Sequence, residues 1–109
     1  MSVRKGSSII AGLSGFDIVD FQEPTSSNNY TWYKKYRNGW VEQGQYGNIQ
    51  RTEATTLINL PVTMATNKYT VLTSGTTATT YQNLLTTGFN LITTVNQYAG
   101  WTVCGMAAS

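Results

Sequence analysis

Histidine is absent from this chain, and cysteine occurs once, as Cys104. Without histidine, the chain lacks the most common general base and the most common zinc ligand of proteins. A single cysteine excludes an intrachain disulfide and any metal site built from several thiolates. Because no histidine can activate its thiol, Cys104 is expected to be a small buried residue rather than a nucleophile. We therefore expect no metal, no cofactor and no enzymatic activity.

Charge is also scarce. Charged residues make up 11% of the chain, with seven basic and five acidic residues, whereas about 25% is usual in soluble domains. The net charge of +2 gives weak electrostatic steering, and the basic residues cluster only around Lys34, Lys35 and Arg37. No apolar stretch approaches the length of a membrane-spanning helix. The sequence therefore predicts neither a nucleic-acid partner nor membrane insertion.

The chain is instead rich in threonine, with eighteen copies, and in tyrosine, tryptophan, valine and isoleucine. These residues favour β-strands, and 109 residues suffice for one domain with its own core. We predict an extended lead-in or attachment segment over residues 1–16 and a single β domain over residues 17–109. Its six or seven closely spaced strands indicate a small antiparallel β-sandwich.

Turn residues place these strands along the chain. They are predicted at residues 16–21, 30–37, 39–44, 53–64, 68–73, within 84–95 and at 100–107. Pro61 removes a donor from the strand ladder, so its strand is expected at a sheet edge or with a bulge. The stretch SGTTATTYQN (74–83) has little apolar content and is predicted to be a long loop.

A hairpin is predicted in WYKKYRNGWVEQG (32–44), because Asn38-Gly39 is a strong signal for a two-residue turn. That register places Lys35 directly opposite Glu42 and splits the basic residues between two faces. A nucleic-acid surface gathers its cations on one face instead. Both predicted faces carry large aromatics, so both are expected to be buried against another element. The domain's second sheet can bury one face and a neighbouring subunit the other.

Two interpretations are open for Trp40, Glu42 and Gln43. They are the residues of a carbohydrate-binding triplet, or they are structural, with Trp40 buried, Glu42 paired to Lys35 and Gln43 bonded to backbone. Their mid-strand position favours the structural interpretation, since binding residues concentrate in loops. Trp32 and Trp101 are expected to be core aromatics.

Receptor contact is predicted in polar loops that hold isolated aromatic residues. Tyr81 and Tyr98 have no obvious core to join there, and rigid aromatics among hydroxyls and amides are typical of recognition surfaces. The alternative is that Tyr81 packs on a neighbouring subunit. The predicted contact residues are Thr79, Thr80, Tyr81, Gln82, Asn83, Gln97 and Tyr98.

Several motifs in order resemble the C-terminal domain of bacteriophage tail fibres. They are WYKKYRNGWVEQG, LPVTM, KYTVLT, TTGF and GWTVCGMA, and together they span roughly residues 30–107. The resemblance implies a homotrimer at the distal end of a fibre, on the virion, where it contacts the host surface. The absence of histidine departs from those fibre tips that hold iron through histidine pairs, and no repetitive shaft is present.

The resemblance therefore implies a non-enzymatic tip domain that binds a bacterial surface polysaccharide or an outer-membrane receptor. One alternative is a trimerisation cap without receptor contact. Another is a polysaccharide-degrading tail enzyme, which the missing histidine, the five carboxylates and the short chain disfavour. Asp17, Asp20 and Glu23 lie close in sequence, but the alternation of a strand points the two aspartates to opposite faces.

Overall fold

A computed structural model describes residues 15–109, so most of the predicted lead-in lies outside the described residues. The described chain forms two antiparallel sheets and confirms the all-β prediction. It contains nine strands rather than six or seven. They are β1 (Ile18–Gln22), β2 (Thr31–Tyr36), β3 (Trp40–Gln45), β4 (Gln50–Arg51), β5 (Thr55–Asn59), β6 (Thr70–Gly75), β7 (Thr80–Leu85), β8 (Gly88–Ile92) and β9 (Gln97–Met106).

The larger sheet has six strands, and its centre is the ten-residue strand β9. β1, β2, β3 and β9 follow one another across this sheet, while β4 and β6 also pair with β9. Trp101 illustrates the central position of β9, because it lies opposite Gln45 of β3 and Thr73 of β6. A single turn of 3-10 helix, Ser26–Asn28, interrupts the connection between β1 and β2.

The smaller sheet has the order β5-β8-β7. β5 ends before Pro61 and forms an edge of this sheet, as the proline predicted. The segment predicted to be a long loop contains the end of β6 and the first four residues of β7, so only residues 76–79 connect the strands and that prediction is wrong. A strand at the edge of a sheet needs no apolar face of its own. The threonine and tyrosine of β7 favour extended backbone once β8 offers a partner.

The core lies between the two sheets. The T-shaped contact between Phe89 and Trp101, with ring centroids 5.6 Å apart, joins β8 to β9 and confirms Trp101 as a core residue. In contrast, β1 and β2 contain no buried residue and extend past this core. We call these two strands the wing. The buried apolar residues are Val41, Ile58, Leu60, Met64, Tyr69, Val71, Phe89, Leu91, Ala99, Trp101 and Val103.

Gln43 ties the larger sheet to the segment that follows β5. Its side chain is fully buried. Its Nε2 donates to the Val62 carbonyl at 2.9 Å, and its Oε1 accepts from the Val62 N–H at 2.9 Å. The amide thus forms with Val62 the two backbone hydrogen bonds that a neighbouring strand would form. The predicted hydrogen bonding of Gln43 to backbone is confirmed.

The β2–β3 hairpin differs from its predicted register by one residue. Gly39 adopts a φ of 93° and donates its N–H to the Tyr36 carbonyl, so the loop has three residues instead of two. Lys34 therefore lies opposite Glu42, and Lys35 lies opposite Val41. The predicted Lys35–Glu42 pair is wrong, because a slip of one residue moves every side chain to the other face.

Candidate interaction surface

Most large exposed apolar side chains lie on one side of the six-stranded sheet. We call this side, which faces away from the smaller sheet, the outer face. Strand alternation places Val41, Gln43 and Val103 towards the core and their neighbours outwards. Seven of the twelve exposed large apolar residues of the described chain lie on this outer side. They are Phe16, Ile18, Phe21, Tyr46, Leu72, Tyr98 and Met106.

The outer face leaves many large apolar side chains in water. The exposed fractions of the seven side chains run from 48% for Tyr98 to 69% for Phe16. Large apolar side chains present about 150–250 Å² when fully exposed, so the seven together present roughly 700 Å². The largest apolar patch of a typical monomer is about 300–600 Å². At least part of this face is therefore a candidate for contact with a partner.

One end of the outer face is a groove of about 550 Å³ between the wing and the segment after β3. We call it the aromatic groove. Ligand sites of proteins commonly have volumes of about 300–1,000 Å³. Its apolar lining consists of Ile18, Phe21, Pro24, Trp32, Tyr33 and Tyr46, and Gln22, Glu23 and Lys34 complete it.

Asn28 fixes the loop that forms one rim of the aromatic groove. Its Oδ1 accepts from the backbone N–H groups of Thr25 and Thr31, at 2.9 and 3.1 Å, and its Nδ2 donates to the Glu23 carbonyl at 2.9 Å. One side chain thus satisfies three backbone groups along the connection from β1 to β2. The rim is held in place before any ligand arrives.

The aromatic wall of the groove is also fixed. Tyr46 stacks on Tyr30 with ring centroids 6.0 Å apart and an interplanar angle of 11°. Tyr30 has a φ of 57°, which is unusual for a bulky residue and costs free energy unless its surroundings hold it there. Trp32 lies over Gly44, where an added Cβ would come within 2.9 Å of the indole. Trp32 is therefore half-buried on the outer face, and its prediction as a core residue is wrong.

Two charged side chains of the groove have no partner in the part of the chain that the structure describes. Lys34 and Glu23 are exposed, and neither side chain forms a hydrogen bond or ion pair with any residue in the range 15–109. Lys34 lies opposite Glu42 in the hairpin. The Glu42 carboxylate, however, accepts a hydrogen bond from the Tyr36 hydroxyl at 3.1 Å. The Lys34 ammonium thus remains available at the groove.

Three other carboxylates, those of Asp17, Asp20 and Glu42, have local partners. Asp17 forms an exposed ion pair with Arg37 at 3.5 Å. Asp20 accepts from the Tyr33 hydroxyl at 3.0 Å, and this hydrogen bond is the main cause that raises the pKa of Tyr33. The hydrogen bond to Glu42 likewise raises the pKa of Tyr36. These carboxylates therefore act as local acceptors and do not converge on a cleft.

A second depression lies at the hairpin end of the outer face. We call it the hairpin patch, and Phe16, Tyr36, Trp40 and Met106 supply its aromatic and apolar lining. Trp40 is half-buried, so it is not the buried residue that the structural interpretation expected. The Asn38 side chain accepts from the Trp40 N–H at 3.0 Å and steadies the turn beneath the patch.

The predicted contact residues are not gathered into one loop. Thr80, Tyr81, Gln82 and Asn83 belong to β7 of the smaller sheet, whereas Tyr98 belongs to β9 of the larger sheet. Tyr81 is 40% exposed and Tyr98 is 48% exposed. Their role in receptor contact stays a prediction, but the loop location that motivated it is wrong for both tyrosines, because both lie in strands.

Thr79 and Gln97 are committed to internal hydrogen bonds. The Thr79 hydroxyl donates to the Thr73 hydroxyl at 2.7 Å. Gln97 is only 3% exposed, and its amide donates to the Thr77 carbonyl at 2.7 Å and accepts from the Thr94 N–H at 2.9 Å. The prediction of Gln97 as a contact residue is therefore corrected, because its polar atoms hold the β6–β7 connection.

The aromatic groove was not predicted from the sequence. Phe21, Trp32 and Tyr46 come from three separate segments, and only the register of β1, β2 and β3 brings them together. The available signals were the break at Glu23-Pro24 and the tyrosines that bracket the hairpin at 30 and 46. None of these signals specifies a shared surface.

No family model, curated protein or solved structure matches this chain. Over residues 15–109, no group of three or more acidic or cysteine side chains is arranged to hold a metal ion. The same part of the chain has no helix long and apolar enough to cross a lipid bilayer. The candidate site therefore rests on the geometry of the outer face.

Proposed function

We propose that this chain is a non-enzymatic tip domain of a bacteriophage tail fibre. It assembles as a homotrimer on the virion and binds a polysaccharide or an outer-membrane receptor of the bacterial host. The observation that carries the proposal is the outer face of the six-stranded sheet, which is rich in exposed apolar residues. The resemblance of residues 30–107 to tail fibre tips supplies the number of subunits and the bacterial target.

Self-assembly is supported by the amount and the composition of this surface. Stable protein interfaces bury about 800 Å² per partner. Phe16, Leu72, Tyr98 and Met106, the exposed apolar residues of the outer face outside the aromatic groove, supply part of such an area. At the hairpin patch, the carboxylate of Glu42 is already hydrogen-bonded to Tyr36. Burial of this patch by a second copy therefore desolvates a carboxylate that already has one hydrogen-bond donor, which costs less than burial of a carboxylate with none.

The non-enzymatic assignment is supported by the carboxylates of the wing. Glycosidases need two carboxyl groups that face each other across a cleft, one of them with a raised pKa. Asp17 and Asp20 each have a different local partner. The alternative of a trimerisation cap without receptor contact shares the assembly and differs only in binding to cells.

The assembly is tested by sedimentation equilibrium with two matched leucine variants. Leu72 on the outer face and Leu57 on the smaller sheet are both 63% exposed. We expect the parent protein to be a trimer at micromolar concentration. Leu72→Lys should dissociate it, because a lysine cannot be buried without a partner. Leu57→Lys should remain trimeric. A parent protein that is monomeric at these concentrations contradicts the proposal.

Binding to cells separates the three candidate functions. The fluorescently labelled trimer is incubated with a panel of Gram-negative strains and with their purified surface polysaccharides. Adsorption without release of oligosaccharides supports the tip domain. A trimer that adsorbs to none of the strains is a structural cap, and release of oligosaccharides identifies an enzyme.

A further inference from the structure

We propose that the aromatic groove binds a saccharide that carries a carboxylate. Trp32 and Tyr46 contact the apolar faces of its rings, and the Lys34 ammonium pairs with its carboxylate. This inference deepens the proposed function, because it names the ligand class and the receptor-contact site. It places that site in the groove rather than at the polar residues of β7.

The lining of the groove suits sugar rings. A pyranose has apolar C–H faces and a polar edge, so it requires aromatic surfaces beside a few polar groups. Phe21 and Tyr46 are at least half exposed within the groove, at 60% and 50%. Lys34, Glu23 and Gln22 lie among them. The Glu23 carboxylate can accept hydrogen bonds from sugar hydroxyls.

Lys34 selects the charged class of saccharide. Its ammonium has no ion pair with any residue in the described chain, although Glu42 lies directly opposite in the hairpin. A carboxylate at the groove gains a charge-assisted hydrogen bond from Lys34 without having to displace an existing partner. The chain has a net charge of +2, which adds weak attraction for acidic polymers.

The groove is built before a ligand arrives. Asn28 fixes the Glu23 rim, and the Tyr30–Tyr46 stack fixes the facing wall. The left-handed backbone of Asn29 and Tyr30 lies at this wall, and strained backbone of this kind concentrates at binding sites. A preformed site loses less conformational entropy on binding than a mobile one.

A second copy of the chain fits this groove less well than it fits the hairpin patch. The centres of protein interfaces are depleted of charged residues. Cover over the groove would desolvate both Lys34 and Glu23, which have no partners among residues 15–109, whereas Glu42 at the hairpin patch already accepts a hydrogen bond. The two ends of the outer face thus take different occupants.

The test uses tetragalacturonate, a hyaluronan tetrasaccharide and fully methyl-esterified tetragalacturonate. The ester keeps the four rings of tetragalacturonate and removes its charges. Binding to the full chain is measured by isothermal titration calorimetry at low salt. We expect saturable binding of at least one acidic saccharide. We also expect tetragalacturonate to bind about five- to tenfold more tightly than its ester, as one charge-assisted contact would give.

Matched variants locate the site. Lys34→Ala should abolish the preference for the acid over the ester. Lys35→Ala should retain it, because Lys35 projects from the other side of the same strand. Tyr46→Ala should lower the affinity for tetragalacturonate and for its ester by the same factor. Tyr46 is half exposed, so its replacement should leave the fold intact, which the far-ultraviolet circular dichroism spectrum checks.

Three results overturn the inference. They are the absence of saturable binding by either acidic saccharide up to about 10 mM, equal affinity for the acid and its ester, and equal losses in Lys34→Ala and Lys35→Ala. A trimer that adsorbs to cells but binds neither acidic saccharide overturns only the proposal that the groove binds an acidic saccharide. A monomer that binds the acidic saccharides through Lys34 overturns only the proposed function as a trimeric fibre tip.

Discussion

We call the strands β3 to β9 the sandwich half of the molecule. The sandwich half and the wing differ in how far their side chains are buried. In the sandwich half, β9 alone buries Ala99, Trp101 and Val103, and the buried amides of Gln43 and Gln97 are hydrogen-bonded. In the wing, every residue of β1 and β2 is at least partly accessible. The difference indicates that the sandwich half holds the core of the fold, while the wing leaves aromatic and charged groups accessible.

The largest expected effect compares one phenylalanine from each region. Phe89 is fully buried against Trp101, whereas Phe21 is 60% exposed in the aromatic groove. Phe89→Ala should lower the free energy of unfolding by about 3–5 kcal/mol through lost burial and a cavity. Phe21→Ala should change it by less than about 1 kcal/mol. Urea denaturation measures both free energies of unfolding. Similar losses in the two variants would show that the wing and the sandwich half do not differ in their contribution to stability.

The next effect tests the hydrogen bonds of the sandwich half. Gln43→Leu keeps most of the volume but leaves the N–H and carbonyl of Val62 without their side-chain partner. We expect a loss of about 2–4 kcal/mol in the free energy of unfolding, because two partly buried backbone groups are left without their partner. Gln50→Leu is the matched control. Gln50 is exposed, and its replacement should cost less than about 0.5 kcal/mol.

The sequence predicted the sandwich half better than the wing. Alternating apolar residues marked β5, and Trp101 was correctly assigned to the core. β4 was missed because two residues are too few to show a period, and β7 was missed because an edge strand needs no apolar face. The Asn38-Gly39 turn was found, but the pair serves two- and three-residue loops alike, so the register could not be fixed.

The wing's surface could not be predicted because long-range register creates it. Trp32 was assigned to the core on its composition alone, and only Gly44 beneath its ring shows why it lies on the outer face. Buried Gln97 illustrates the opposite error. A polar residue near a turn was expected in water, yet Thr94 and Thr77 supply its hydrogen-bond partners.

A moderate effect is expected from alkaline pH in the sandwich half. Burial raises the pKa of Tyr69, whose hydroxyl donates to the carbonyls of Leu85 and Gly88. A raised folded-state pKa means that its stabilising contribution is complete below about pH 10, the unfolded value. The contribution is lost as pH rises through the folded value.

This prediction is measured as the free energy of unfolding from pH 8 to 11. The stability of the parent should fall above about pH 10 more steeply than that of Tyr69→Phe. At neutral pH, Tyr69→Phe should already be less stable by about 1–2 kcal/mol. Parallel curves for the two proteins would show that the Tyr69 phenol does not titrate on unfolding.

The smallest effect concerns the hairpin that joins the wing to the sandwich half. Lys34 and Glu42 are directly opposed, so a double-mutant cycle with alanine should give a coupling of about 0.2–0.5 kcal/mol. The same cycle for Lys35 and Glu42 should give no coupling, since they project from opposite sides. A larger coupling for Lys35 than for Lys34 would contradict the three-residue loop.

The reactivity of Cys104 tests most directly whether copies of this chain cover the outer face. This cysteine is the only one in the chain, and it is half-buried on the outer face opposite Glu42. The rate of maleimide modification is compared between the parent and two uncharged double variants. Leu72→Asn with Met106→Asn alters the outer face, and Leu57→Asn with Leu85→Asn alters exposed leucines of the smaller sheet.

The account predicts slow modification of the parent and of the variant altered in the smaller sheet. Modification of the outer-face variant should be at least about tenfold faster, because loss of assembly exposes the thiol. Rapid modification of the native parent, at the rate of the outer-face variant, would show that the outer face is not covered and would contradict the account.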